Sequence, residues 1–295
     1  MFSKSLVTKL GCVLAVIGAS LAPTAAQANT GSTEKTLIDW EAIARQQQWS
    51  TITSNSSFNR TISAGAGQVD FGFLLGNGAK FTAHGNSGLT PAINNVLNGS
   101  NPNNDRTLHV QIDLDKNPKL TVPAGTAFGQ KFDNALNMTT RFNGFGGALE
   151  GVSFALHDID ISGTNWQDRV ILRGFLGNEL VNPIFRTPNG SNTLPNSVSR
   201  IDAYTLDGVR SVGNDSNSGD ILVSFGSAID RFELIFTEGS LAKANPDNHG
   251  IGIGDIKYTS VAKSVPEPTA VIGLFALGAF GVSSLRKRKQ QVVEE

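Results

Sequence analysis

Alternation of period two, recurring in many short segments, constrains this chain more than any other feature. In TLHVQIDL, Leu108, Val110, Ile112 and Leu114 face one way, while His109, Gln111 and Asp113 face the other. QVDFGFLL places Val69, Phe71, Phe73 and Leu75 on one side, and DRFELIFTEG does the same with Phe232, Leu234 and Phe236. Such a pattern fits a strand with one buried face. GVSFALHDIDI, DRVILRGFLG, GDILVSFG and GIGIGDIKYT are further strand segments, bounded by Gly and Asn clusters. Asn residues beside Gly, Ser, Pro or Asp supply the turns. Many short strands joined by polar loops predict an all-β chain, an antiparallel β-sandwich of jelly-roll type with strands dominating 58–260. One segment departs from this. In TLIDWEAIARQQQW, Leu37, Trp40, Ile43 and Ala44 share a stripe, which predicts a short helix over 37–48. The stretches 94–106 and 114–129 are expected to be long loops within one domain, because strands resume on both sides.

The two ends differ from the body. Lys4 and Lys9 precede an apolar run from Leu10 to Leu21, and a small-residue stretch follows that ends in Ala26-Gln27-Ala28. That order predicts a secretory signal peptide over 1–28, cut after Ala28 by signal peptidase, with Ala26 and Ala28 as the cleavage residues. The single cysteine, Cys12, lies inside the apolar run. Residues 29–262, the β-sandwich domain, therefore carry no thiol, and stability must come from an apolar core. From Asn29 to Pro268 there are 18 Lys and Arg against 23 Asp and Glu, a formal charge of −5. A mildly acidic surface with scattered cations argues against nucleic acid as a partner.

At the other end, residues 263–295 hold Pro266-Glu267-Pro268, an uncharged run from Ala270 to Leu285, and the cluster Arg286, Lys287, Arg288 and Lys289. The two prolines keep Glu267 in an extended, non-helical segment. As a transmembrane helix, 270–285 would be roughly 24 Å long against a hydrocarbon core of about 30 Å. The basic residues can snorkel to cover the shortfall, and they place the basic end in the cytoplasm. The span suits temporary anchoring better than permanent anchoring. These residues, in this order, resemble a PEP-CTERM sorting signal. The resemblance implies that an exosortase, a membrane-embedded enzyme, recognises and removes the tail. It also implies that the protein ends at the cell surface or in an extracellular polysaccharide matrix. Separately, the strand order from about Gly151 to Thr259 resembles, at the level of pattern, jelly-roll domains of bacterial adhesins and carbohydrate-binding modules.

The body carries few chemical signatures. DIDISG sets Asp158, Asp160, Ser162 and Gly163 at the opening spacing of a calcium loop, but Arg169 stands where an EF-hand needs Glu. A looser oxygen cage for calcium is the remaining metal expectation, with Asp255 from the last strand joining Asp158, Asp160 and Ser162. No other cofactor is expected. The four histidines, His84, His109, His157 and His249, show no zinc-site spacing and are expected on exposed strands or loops. No nucleophile elbow or nucleotide loop is present, so no catalytic residue is assigned. Trp166, in GTNWQDR, either closes one end of the sandwich or stacks on a sugar ring. The sequence thus points first to an exported, non-catalytic, structural or adhesive protein of the surface or matrix. A calcium-assisted carbohydrate-binding module comes second, marked by a pocket near Trp166. A hydrolase, which needs two carboxylates in one cleft, comes third.

Overall fold

The computed structural model describes residues 33–43, 49, 56–84, 89–99 and 105–261. In chain order the strands begin with β1 (Lys35–Ile38), β2 (Ser57–Ala64), β3 (Gly67–Leu75), β4 (Ala79–Phe81), β5 (Ala92–Asn94), β6 (Thr107–Leu114) and β7 (Leu136–Asn143). Next come β8 (Leu149–Glu150), β9 (Ser153–His157), β10 (Ile161–Ser162), β11 (Trp166–Leu176), β12 (Glu179–Val181) and β13 (Pro183–Arg186). The last are β14 (Val198–Arg200), β15 (Thr205–Gly208), β16 (Ile221–Phe225), β17 (Arg231–Glu238), β18 (His249–Ile253), β19 (Ile256–Tyr258) and β20 (Ser260–Val261). Two single-turn 3-10 helices, Trp40–Ala42 and Asn217–Gly219, are the helical elements among the described residues.

The strands form two nine-stranded sheets and one small pair, β8 with β20. The first sheet runs β1-β19-β9-β18-β6-β4, with β5 also on β6 and β16 joining β13 to β9. The second runs β14-β15-β11-β17-β7-β3-β2, with β10 and β12 also on β11. All strand pairings are antiparallel. The alternating rows read from the sequence supply the core between the sheets. Val69, Phe71, Phe73, Phe232, Leu234 and Phe236 from the second sheet pack in one cluster with Leu108, Val110, Ile112 and Leu114 from the first. Burying each such side chain contributes about 1.5–3 kcal/mol.

The second sheet is also covered on its outer face. Residues 115–135 form no strand, and Val122 and Ala135 pack there on Ile171 of β11 and Ile235 of β17. At the β6 edge of the first sheet, β5 and the residues before it add further contacts. Thr90 Oγ1 donates to the Gln111 carbonyl at 2.8 Å, and Asn94 Nδ2 lies 3.0 Å from His109 Nδ1. His109, on β6, and His249, which meets Asp168, Glu238 and Phe236 of the second sheet, are buried and not in water as expected.

The helix expected over 37–48 is not what its described part forms. Leu37 and Ile38 belong to β1, which pairs with β19 through Lys35↔Tyr258 and Ile38↔Ile256. Asp39 then caps one 3-10 turn, accepting from the amides of Glu41 and Ala42. The apolar stripe is used by burying Trp40 and Trp49 against Phe71, with ring centroids 5.6–6.0 Å apart. Residues 44–48 lie outside the described residues, as do the signal peptide (1–28) and the whole tail (263–295). Among the described residues no helix is long and apolar enough to cross a membrane.

Candidate functional site

The segment after β9 builds the site. Ile159 packs in the apolar core and Ile161 is buried, while Asp158, Asp160 and Ser162 come to one cavity. Asp158 adopts a left-handed backbone, φ 65°, a conformation that Asp and Asn tolerate better than most residues. The β10–β11 hairpin closes the turn. The amide of Asp160 donates to Asp168 Oδ2 at 3.0 Å, and the amide of Asp168 donates to the Asp160 carbonyl at 3.0 Å. Gly208 lets this turn lie against β15, since a Cβ there would sit 2.0 Å from the Asp160 carbonyl oxygen.

Asp158, Asp160, Ser162 and Trp166 line one cavity of about 190 Å³, together with Asn214, Asn248 and His249. Trp166 is half-buried at its edge, with one ring face stacked on His249 at 6.1 Å and 24°. Both Asp side chains are buried, at 8% and 3% exposure. Asp160 Oδ2 accepts from the amide of Val212 at 2.8 Å. Oδ1 of Asp160 and Oδ1 of Asp158 are buried without a hydrogen-bond partner.

Three further residues meet behind these two. Asp168 stands directly opposite Glu238 in the β11–β17 register, a like-charge cross-strand pair. His249 lies between them, with Nδ1 2.6 Å from Asp168 Oδ1 and Nε2 3.1 Å from Glu238 Oε1. The second contact is poorly aligned, and neither of its atoms has a hydrogen-bond partner. Glu238 Oε2 accepts from the amide of Gln167 at 2.7 Å. Burial pushes the Asp158 carboxyl up to about 8, helped by the charges of Asp160, Asp168 and Asp220. Asp160 rises to about 6 and Glu238 to about 7, again through burial, with His249 pulling each back. Burial raises Asp168 as well and lowers His249.

This arrangement does not activate a nucleophile. A buried Asp168–His249 pair resembles an oriented base, but the far nitrogen of the ring faces Glu238 and not a hydroxyl. Two carboxylates do share a cavity, and both are buried, which suits holding a cation.

Asp255 is not part of the cavity. Its Oδ1 accepts from the amide of Trp40 at 2.9 Å, and it lines a separate cavity with Asp105 and Arg106. The expected single closing strand is broken at this residue, between β18 and β19, and the carboxylate turns to the N-terminal segment. Asp39, Glu41 and Asp255 come within 4.8 Å of one another, but Asp39 and Glu41 are exposed, and one oxygen each of Asp39 and Asp255 accepts from amides of the 3-10 turn. Of the residues singled out in the sequence, Asp158, Asp160, Ser162 and Trp166 line one cavity. Nothing in the sequence signals that Asp168, Glu238 and His249 meet, which the β11–β17 register and the packing of β18 bring about. The sorting residues Pro266, Glu267, Pro268 and Arg286 to Lys289 lie outside the described residues, as do Ala26 and Ala28.

Residues 264–289 match the PEP-CTERM protein-sorting motif. No curated protein matches the chain. Among solved structures, similarity is found to a carbohydrate-binding module specific for non-crystalline cellulose, CBM28. It has 10% identity and a TM-score of 0.25, covering 57% of this chain and 79% of that one. A sugar-binding candidate from Bacteroides thetaiotaomicron VPI-5482 gives 10% identity and a TM-score of 0.25, covering 77% of this chain and all of that one. Superpositions this loose transfer neither topology nor ligand to the chain.

Proposed function

We propose that this PEP-CTERM-tailed chain is an exported, non-catalytic protein of the cell surface or extracellular polysaccharide matrix, with a structural or adhesive role. The sorting motif at 264–289 carries that reading. A signal peptide over 1–28 brings the chain to the secretion machinery, and a transmembrane helix over 270–285 holds it briefly at the inner membrane. An exosortase then releases a jelly-roll-type sandwich at Pro266-Glu267-Pro268. Deleting Pro266 to Pro268 in the producing cell should trap a full-mass form at the inner membrane. Unchanged mass and location after the deletion would overturn the reading.

The cavity beside Trp166 favours a second function on the same protein, binding of a carbohydrate. An aromatic face flanked by Asn and Asp side chains is the usual chemistry for holding a pyranose, whose C–H face is apolar and whose hydroxyls need planar partners. At about 190 Å³ the cavity is smaller than the ~300–1,000 Å³ of drug-sized sites and suits one sugar residue or an ion. A glycan screen of the exported, processed protein should find ligands that Trp166→Ala loses at least tenfold. Equal binding by the Ala variant would remove the cavity from the sugar reading, and release of cleaved sugar would replace it with hydrolysis.

A further inference from the structure

We infer that the floor of the Trp166 cavity is a calcium site, with Asp158 and Asp160 as its carboxylate ligands and with Asp255 excluded. The other buried acids nearby each have a partner for at least one oxygen. Asp168 lies 2.6 Å from His249 and accepts from the Asp160 amide. Glu238 accepts from the Gln167 amide, and Asp220 lies 3.0 Å from His157. Asp158 and Asp160 differ from these in lining the cavity. Each is more than nine-tenths buried and keeps one oxygen without a hydrogen-bond partner, as Glu238 and Asp220 also do outside the cavity lining. Burying an acceptor without a partner costs free energy, and burying a charge without one costs more. Both residues line the one cavity from a single turn, and a cation held there would supply the partner that one oxygen of each carboxylate lacks.

The donor set selects the ion. Apart from histidine and tryptophan, the polar side chains around the cavity offer oxygen, among them Ser162, Ser211, Asn214 and Asn248. Calcium accepts six to eight such oxygens in irregular geometry, whereas magnesium demands a near-ideal octahedron that a site assembled from separate loops rarely supplies. Zinc seeks nitrogen or sulfur. Here Nδ1 of His249 lies 2.6 Å from Asp168 and its Nε2 faces the Glu238 carboxylate, while His84 Nδ1 lies 2.8 Å from Gln111 Oε1. An ion at this place would tie the turn at 158–162 to the loop at 211–214 and to the start of β18. It would do so whether or not a sugar binds above it, so the inference goes beyond the carbohydrate reading.

The test uses the exported, processed protein, stripped with chelator and then titrated with calcium chloride alone. The melting temperature should climb steadily with the logarithm of free calcium once the site begins to fill, as mass action requires. Titration calorimetry should give one site per chain. Magnesium and zinc chlorides should give shifts at least tenfold weaker in concentration. Asp158→Asn and Asp160→Asn should melt near the wild type in chelator and lose the calcium response, while Asp255→Asn should keep it. Terbium offers a readout that leaves the ligands intact. Its emission, excited through tryptophan and displaced by calcium, should vanish in Trp166→Phe, even if the Asp variants fail to fold. Absence of calcium heat and melting shift in the wild type would overturn the inference. So would a response that survives both Asp substitutions, or terbium emission unchanged in Trp166→Phe. A calcium response without any glycan binding would leave the cation site standing and remove only the sugar reading.

Discussion

On the outward face of β11, Arg169 and Arg173 are buried together with their counter-charges, whereas on the inward face Asp168 is buried beside other acids. Arg169 stands opposite Asp207 in the β11–β15 register and donates from Nε and one terminal nitrogen, each at 2.7 Å. Arg173 stands opposite Glu233 in the β11–β17 register and donates to Oε1 from Nε at 2.6 Å. The third cross-strand pair on this strand, Asp168 with Glu238, opposes like charges. Opposite charges in direct register stabilise a sheet and like charges destabilise it. The outward pairs therefore belong to the architecture, holding the cover formed by residues 115–135, whose carbonyls at Leu120 and Thr126 also accept from the two Arg side chains. The inward cluster does not balance within the protein. That imbalance is what marks a site.

The largest effect expected from this contrast is at the balanced pair. Arg173→Met strands Glu233 in a place with no exposure, and removing one partner of a buried pair typically costs about 3–5 kcal/mol. Urea denaturation should show a loss of that size. Replacing both residues, Arg173→Met with Glu233→Leu, should recover most of it. Full recovery is not expected, because the amide of Gly129 and the side chain of Asn137 lose Glu233 Oε2 as their acceptor. A single-variant cost below about 1 kcal/mol would break the contrast between the two faces.

His109 sharpens it with a third way of burying a titratable group, one with no charged partner. Burial pushes its pKa down to about 3, with His84 as the lesser cause. The unfolded chain takes up a proton here near pH 6.5, and the folded chain takes it up only near 3. Protons therefore favour the unfolded state inside that window, and stability falls as pH drops through it, by about 1.4 kcal/mol per pH unit. At pH 4.5 the loss from this one residue should be roughly 2–3 kcal/mol. His109→Gln should remove it, so the difference between variant and wild type must grow as pH falls from 6.5. Parallel stability curves would show that His109 accepts its proton without unfolding.

How much of this was legible in the sequence depends on the range of the interaction responsible. Leu108, Val110, Ile112, Leu114, Phe232, Leu234 and Phe236 were assigned to the core by alternation alone, and all are at most 1% exposed. Alternation is a property of neighbouring residues, so it survives without tertiary information. The segment 37–48 failed for the opposite reason. Its local stripe fits a helix, but β19, more than 200 residues away in sequence, offers an unpaired edge to Lys35–Ile38. Tertiary pairing then outweighs a weak helical preference. The site divides in the same way. Asp158, Asp160 and Ser162 were legible because they alternate along one turn. Asp168 and Glu238 required the register of β11 with β17, and His249 required a strand of the other sheet. Asp255 was assigned wrongly because GIGIGDIKYT reads as one continuous strand, while the chain breaks it at that residue.

The smallest expected effect is the most diagnostic for the inward face. Asp158→Asn keeps the left-handed backbone, which Asn adopts as readily as Asp, and it keeps the side-chain shape. What it removes is a carboxyl with an oxygen that has no hydrogen-bond partner, together with its repulsion from Asp160, Asp168 and Asp220. In chelator, therefore, nothing favourable is lost. The variant should be as stable as the wild type or more stable by up to about 1 kcal/mol, since burial holds the Asp158 carboxyl up to about 8 and Asn replaces it with a neutral group of the same shape. The comparison to make is with Arg173→Met, measured by the same urea titration at neutral pH. If Asp158→Asn instead costs 2 kcal/mol or more in chelator, Asp158 has a partner within the protein, as Glu233 does. The two faces of β11 would then bury charge by the same rule, and the case for a cation beneath Trp166 would fall with the contrast.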